Sequence, residues 1–472
     1  VRSNLSVFFM PELQHYRHLS LIAAMALFMQ SLDATILNTA LPAISADLHE
    51  SPLEMQMAII SYSLTVALFI PLTGWIADKY GTLNVFRVAV AIFVLGSVAC
   101  AASNSLNALI WSRVLQGLGG AMMMPVARLA IIRHVPKNQL VAAWNAMAMA
   151  GLIGPVLGPI VGGWLVTHAS WHWIFLINIP IGILGIGFAG RYMPNSIGNI
   201  SKLDWWGFLL FGGGLVGLTL GLDLLSEDRI NQWLTALILA VGFGCFSFYY
   251  WYAQRVQNPL LPLNLFATRT FRLGMVANIF IRLCGSGIPF LMPLMLQVVF
   301  NYSADVTGWL LAPIALSSVL TKSFVGKILA RFGYKTTLML TALSMALAIA
   351  AMSLLQQDTP IWCLVLILAW YGSCMSIIFT SVNTLTISDL DEHNASAGAT
   401  YLSVIQQVGI SIGIAISAVI LDLYRHFIGE SGEQLQRAFS GTFLTSAIFG
   451  IILLWVLTYL RKEDGAENFR RE

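Results

Sequence analysis

The stretch "GWIADKYG" (Gly74–Gly81) returns 252 residues later as "GKILARFG" (Gly326–Gly333). Both have glycine at each end, isoleucine third, a basic residue sixth and an aromatic seventh. Each follows a long apolar run and is followed by another. One such match could be chance. Two copies in equivalent settings point to a duplicated bundle, the common construction of membrane carriers.

The composition supports that setting. Of 472 residues, 57% are hydrophobic and only 10% charged, against about 25% charged in soluble domains. A span needs about 20 apolar residues. That ruler places fourteen spans, near 19–41, 55–77, 84–103, 106–132, 140–166, 171–193, 203–225, 232–253, 272–299, 304–329, 335–356, 360–386, 396–424 and 441–460. The first run is too long for a signal peptide and lacks its small-residue cleavage pattern. It is expected to be the first span. The fold class is therefore an all-α polytopic membrane protein.

Basic residues test the count, because cytoplasmic loops collect them. With the N-terminus inside, the inner loops hold Lys79, Arg87, Arg133, Lys137, Arg191, Lys202, Arg255, Arg269, Arg272, Lys327, Arg331 and Lys335, and the tail adds four more. The outer loops hold only Arg229, Arg425 and Arg437, with acids such as Asp47, Glu50, Asp305 and Glu433. Only the inner loop from Asp389 to His393 breaks the rule. Both termini are expected in the cytoplasm. The two repeats follow spans 2 and 10, eight apart, whereas two six-helix halves would put them six apart. Spans 7 and 8 are the natural insertion. The expected division is a six-helix bundle over 1–198, an inserted hairpin over 199–258, a second six-helix bundle over 259–461 and a tail over 462–472.

Span 1 reads "QSLDATILNTALP" (Gln30–Pro42) and carries Asp33 near its middle. A carboxylate at the bilayer centre costs roughly 2.5–3.5 kcal/mol on insertion scales. Span 4 reads "LIWSRVLQGLGGAMMMP", with Arg113, Gln116, Gly117, Gly120 and Met124 on one face. Asp33 and Arg113 both lie about two turns from the outer ends of their helices, hence at similar depth. A static ion pair is one reading. The other makes Asp33 a proton carrier whose affinity Arg113 tunes, and intramembrane charges default to function. Asp33 is then expected to bind proton and substrate in alternation. Cationic compounds would pair with the bare carboxylate, and neutral ones would use a wall of Met122, Met123 and Met124.

Candidates for substrate contact are Gln30, Asn38, Gln116, Met124, Arg282, Gln297 and Asn383. The amides, taken singly, are more often interhelical hydrogen bonds. Arg282 stands far from any span end and should face a cavity. Span 5 reads "GLIGPVLGPIVGG" (Gly151–Gly163). Gly154, Gly158 and Gly162 make a flat stripe for close helix approach, with Gly163 beside it, and Pro155 and Pro159 bend the helix.

Several function classes find no support. "GGGLVG" (Gly212–Gly217) has the spacing of a dinucleotide loop, but an apolar helix carrying Trp205 and Trp206 precedes it in place of a strand. There is no Walker A sequence, no nucleophile–base set, no metal-ligand spacing and no loop large enough for a receptor domain. The five cysteines fall in apolar runs and read as reduced packing residues. No cofactor, metal or nucleic acid is expected. The partners are a small-molecule substrate, protons and the lipid bilayer, and a periplasmic adaptor is left open.

These stretches resemble the major facilitator superfamily, specifically its fourteen-span drug–proton antiporters. "LDATILNTALP" looks like that branch's span 1 signature. Gly74, Asp78, Lys79 and Gly81 match the superfamily's loop motif, with Gly326, Arg331 and Gly333 in its second copy; Thr82 and Leu83 stand where a basic pair is usual. Arg113, Gln116 and Gly117 match the span 4 motif. Gly154, Gly158, Pro159, Gly162 and Gly163 match the antiporter motif of span 5. "WHWIFLINIPIG" is similar to the entry of span 6, with His172 where arginine is frequent. The resemblance implies a fold of two six-helix bundles plus two spans, a bacterial inner-membrane location and proton-coupled export of drugs. A proton-coupled carrier of an organic acid or peptide, with Arg282 on a carboxylate, is the rival reading.

Overall fold

The structure is a computed structural model describing residues 11–135, 140–198, 202–225, 232–390, 392–429, 431–461 and 463–464, without the side chains of 11–17, 140–150, 152, 223 and 392–396. Lys137, Arg229, the inner-loop His393 side chain and most of the C-terminal tail therefore lie outside the described residues. Thirteen helices are described: α1 (Pro11–Asp47), α2 (Gln56–Tyr80), α3 (Thr82–Ala101), α4 (Leu106–His134), α5 (Leu140–His168), α6 (Trp173–Tyr192), α7 (Trp205–Leu224), α8 (Gln232–Ala253), α9 (Arg269–Val299), α10 (Ala304–Met352), α11 (Ile361–Ser388), α12 (Glu392–Ile428) and α13 (Glu433–Thr458). Among the described residues twelve segments are long and apolar enough to cross a membrane, and α5 contributes a shorter apolar stretch, Ile153–His168.

The difference from fourteen has a physical reason. α10 is a run of 49 residues in which two helices are joined across a kink; at about 1.5 Å per residue it is long enough to cross twice a hydrocarbon core of about 30 Å. It is interrupted only at Gly333, whose backbone (φ 73°, ψ 169°) is not helical. Gly81 ends α2 in the same way (φ 87°, ψ 146°). Both repeats thus end on a glycine in the region that other residues rarely adopt. α9 departs from one smooth span: Ser286 and Gly287 break it, and Met295–Val299 form a π turn below Pro293.

Packing divides the chain into two groups. α1 packs on α4, α5 and α6, α3 on α4 and α6, and α2 on α4. In the second group α9 packs on α11, α12 and α13, and α10 on α11 and α13. The groups meet through α5 against α10 and α2 against α12. α7 and α8 pack on each other and border α2 and α12 at the rim. Trp206 and Phe243, on that hairpin, are both exposed.

The cores are asymmetric along the helix axes. At the end away from Gly81 and Gly333, Ile36–Leu48 of α1 and Met55–Ile60 of α2 share one apolar core with α9, α10 and α13. Towards the Gly81 end, α1, α3, α4 and α6 have a core of their own, from Leu19 to Met193. The two groups share a core at one end; beyond it a smaller core joins α2 to α9 and α12 beside the hairpin, with Leu64, Ala67, Phe211, Phe271 and Tyr401.

The α5 stripe explains part of the contact between the groups. A Cβ on Gly154, Gly158 or Gly162 would meet Ser31 at 2.6 Å, Thr35 Oγ1 at 2.0 Å and Thr39 Oγ1 at 2.6 Å, one turn of α1 each. On its other side Gly163 lies against the Ala304 carbonyl of α10, and Gly308 of α10 against the Pro159 carbonyl. Gly158→Ala is expected to push α1 from α5 and destabilise the protein by about 1–3 kcal/mol. Gly74→Ala, with nothing within 4 Å of the new methyl, is the control. Thermal melting of the two variants in detergent checks the contrast.

Candidate functional site

Asp33 is buried inside the first group, only 1% exposed. Arg113, equally buried, donates from Nη1 to Asp33 Oδ2 at 2.7 Å and to Gln116 Oε1 at 2.6 Å. Its Nε donates to the Ala58 carbonyl at 3.0 Å, and its guanidinium lies 4.4 Å from the Tyr62 ring centre. Gln116 Nε2 donates to Asp33 Oδ1 at 2.7 Å and to Ser97 Oγ at 2.8 Å. Asn178 Nδ2 donates to the same Oδ1 at 3.2 Å. The network spans α1, α2, α3, α4 and α6.

The orientation of Gln116 follows from its neighbours. Arginine only donates, so the amide oxygen must face Arg113 and the amide nitrogen Asp33. Every partner of Asp33 is then a donor: Arg113, Gln116 and Asn178. This arrangement fits an ionised carboxylate. A proton placed on Oδ2 would take one of its lone pairs and remove the negative charge, which weakens the bond from Arg113.

A cavity of about 340 Å³ lies between the two groups. Gln30, Asn38, Tyr62 and Arg113 line it from the first group, and Arg282, Ser286, Phe290, Met375 and Gln407 from the second. A neighbouring chamber of about 300 Å³ shares Thr35, Asn38 and Pro289 with it and is otherwise walled by Pro155, Pro159 and apolar residues of α10 and by Ser318.

The candidates do not all gather there. Gln30 lines the cavity while donating to the Gly120 carbonyl at 2.6 Å. Asn38 and Arg282 line it, and Asn38 Oδ1 has no partner. Gln116 belongs to the Asp33 network instead. Met122, Met123 and Met124 are buried in the core of the first group and make no cavity wall. Gln297 donates to the Thr39 carbonyl at 2.9 Å, joining α9 to α1. Asn383 lies away from both chambers, its Oδ1 buried without a partner. Asp33 does not line the cavity. Direct pairing of a cationic substrate with it therefore does not fit this arrangement: three donors already bind it, and Arg113 stands on the cavity side.

Ser97, Asn178 and Tyr62 escaped the sequence reading. Asn178 had a signal, an amide within the apolar run "FLINIPIG". Tyr62 and Ser97 had none.

At the Gly81 end, Asp78 pairs with Arg133, and the Gly198 N–H reaches the Asp78 carbonyl at 3.1 Å. Thr82 Oγ1 donates to the Pro194 carbonyl at 2.9 Å, and the Leu83 N–H to Asn195 Oδ1 at 3.1 Å. Residues standing where a basic pair is usual thus fasten this loop to the segment after α6. Lys79 lies 4.7 Å over the Trp75 ring, and Arg331 5.5 Å from the Phe332 ring. Among the described residues no cluster could hold a metal ion.

The Major Facilitator Superfamily model matches residues 23–414. The chain is 62% identical over 454 residues to the "Probable transport protein HsrA" of Haemophilus influenzae, covering 96% of this chain and 98% of that one. It is 42% identical over 452 residues to the "Putative multidrug resistance protein MdtD" of Salmonella typhimurium, covering 95% of each. Among solved structures it is similar in fold to a peptide transporter of the POT family (TM-score 0.68, 14% identity, 94% and 95% covered). A D-xylose–proton symporter is also similar (TM-score 0.66, 12% identity, 95% and 98% covered). The chain belongs to the major facilitator superfamily and is a multi-pass inner-membrane transporter, not an enzyme.

Proposed function

We propose that this transporter exports small amphipathic compounds, drugs among them, in exchange for protons by alternating access. The observation that carries the coupling is the all-donor shell of Asp33. An ionised Asp33 holds Arg113 at its own side, and a proton there weakens that bond and so changes the cavity wall that Arg113 helps to form. Proton and cargo then act on the same space without touching the same atom. A substrate drives such a cycle only through its different affinity for the two states. The naming of the MdtD relative as a multidrug resistance protein supports the cargo class.

On this reading α10 is two spans joined at Gly333 and α5 is a full span, which restores fourteen, with both termini in the cytoplasm. Residues 1–198 and 259–461 are the two bundles, 199–258 a peripheral hairpin and 462–472 a tail. The Gly81 end is cytoplasmic by its basic loops. The shared core at the opposite end then supports an inward-facing state.

The test is substrate-dependent proton movement. Purified protein in liposomes with an acidic lumen is challenged with a panel of amphipathic compounds. Antiport predicts accumulation of cargo and alkalinisation of the lumen, both abolished by collapsing the pH gradient. Uptake with no accompanying proton movement would sink the proposal.

A further inference from the structure

Taking the central cavity as the cargo site, and so resting on the proposed transport function, we propose that its cargo is an amphipathic organic anion whose carboxylate or sulfonate docks on Arg282. The charges on the cavity wall point that way. Arg113 and Arg282 line the space and no acid does. Asp33 offsets Arg113, to which it is bonded at 2.7 Å. Arg282 is left over: no carboxylate pairs with it among the described residues, and its buried Nε has no hydrogen-bond partner.

Its position is built. The guanidinium stacks 4.0 Å from the Phe379 ring centre. Its stem runs along Gly409, where a Cβ would meet the Arg282 Cγ at 2.6 Å. One turn on, Ser286 also lines the cavity with a buried, unpartnered hydroxyl. A planar fork beside a hydroxyl donor suits a carboxylate or sulfonate. A half-buried guanidinium without a counter-charge is costly, and an anionic cargo removes that cost for as long as it is bound. A cationic cargo would add a like charge. The rest of the anion has a place to go, since the neighbouring chamber is almost wholly apolar and opens past Thr35, Asn38 and Pro289. Asn38 Oδ1, unpartnered at the junction, can accept one hydrogen bond from the cargo.

The experiment uses one apolar body with three charges: 2-naphthoate, naphthalenemethanol and a naphthyl-trimethylammonium cation. Binding of radiolabelled 2-naphthoate to the purified protein is expected to be displaced by naphthalenesulfonate and not by the cation. Arg282→Gln is expected to weaken 2-naphthoate binding at least tenfold while its melting temperature holds or rises, because an unpaired, half-buried charge is gone. Arg282→Lys should keep the preference for the anion with weaker binding. Wild-type affinity in Arg282→Gln, equal binding of the cation, or no binding of any anion in the series would overturn the proposal. If the cation instead drives proton movement in the liposome assay, transport stands and the anion assignment falls. If no compound moves protons, the transport reading itself has failed.

Discussion

Asp33→Asn is expected to reduce proton-driven transport to the level of empty liposomes while the protein still inserts, folds and binds cargo. The side chain keeps its shape, and its amide oxygen can still accept from Gln116 Nε2 and Asn178 Nδ2, as Asp33 Oδ1 does. Its amide nitrogen takes the Oδ2 place and faces the Arg113 donor, so the bond from Arg113 is lost together with the site that takes the proton. Arg113 loses its counter-ion but keeps the Ala58 carbonyl, Gln116 Oε1 and the Tyr62 ring. We therefore expect a lower melting temperature and no collapse. The decisive readout is the pH profile: cargo binding that varies with pH in the wild type should become flat in the variant. Asp33→Asn liposomes that accumulate cargo down a pH gradient at the wild-type rate would show Asp33 to be structural.

The relation of this carboxylate to the cavity was the least legible part of the sequence. Three residues along a helix turn the side chain by about 300°, leaving it about 60° from where it began. That rule puts Gln30 and Asp33 on one face. The remaining 60° is enough to send Gln30 into the cavity and Asp33 inward to α4 and α6. The methionine run misled for a related reason, since an apolar helix with no polar face gives no sign of which side meets a cavity. The repeat was legible because Gly81 and Gly333 share a backbone conformation that glycine adopts most easily, leaving a mark in the letters. The glycine stripe was legible because close approach to α1 excludes larger side chains, though the letters do not say which helix lies opposite. The break in α10 was legible in the same way: the hydropathy ruler places separate spans over 304–329 and 335–356, and the helix is interrupted between them at Gly333.

Arg113→Leu is expected to be the most destabilising single change at this site, because it leaves Asp33 buried at 1% exposure with no cation. Removing one partner of a buried pair typically costs about 3–5 kcal/mol. The Ala58 carbonyl and Gln116 Oε1 also lose their donor. Asp33→Asn in the same chain should recover much of the loss. The new amide can donate from the former Oδ2 position to Gln116 Oε1, and no charge remains to be compensated. Acidification should likewise narrow the deficit of the single variant, since a neutral Asp33 needs no cation. Transport should stay absent in the double variant, where neither the proton site nor the arginine it holds is present. A double-mutant cycle on melting in detergent, run beside the liposome assay, separates the two roles. A strongly favourable coupling in stability, with no return of transport, is the expected result. If Arg113→Leu melts like the wild type at neutral pH, the pair does not hold the bundle together. If the double variant transports, proton coupling lies outside this pair, and the all-donor shell around Asp33 is only a solution to burying a charge.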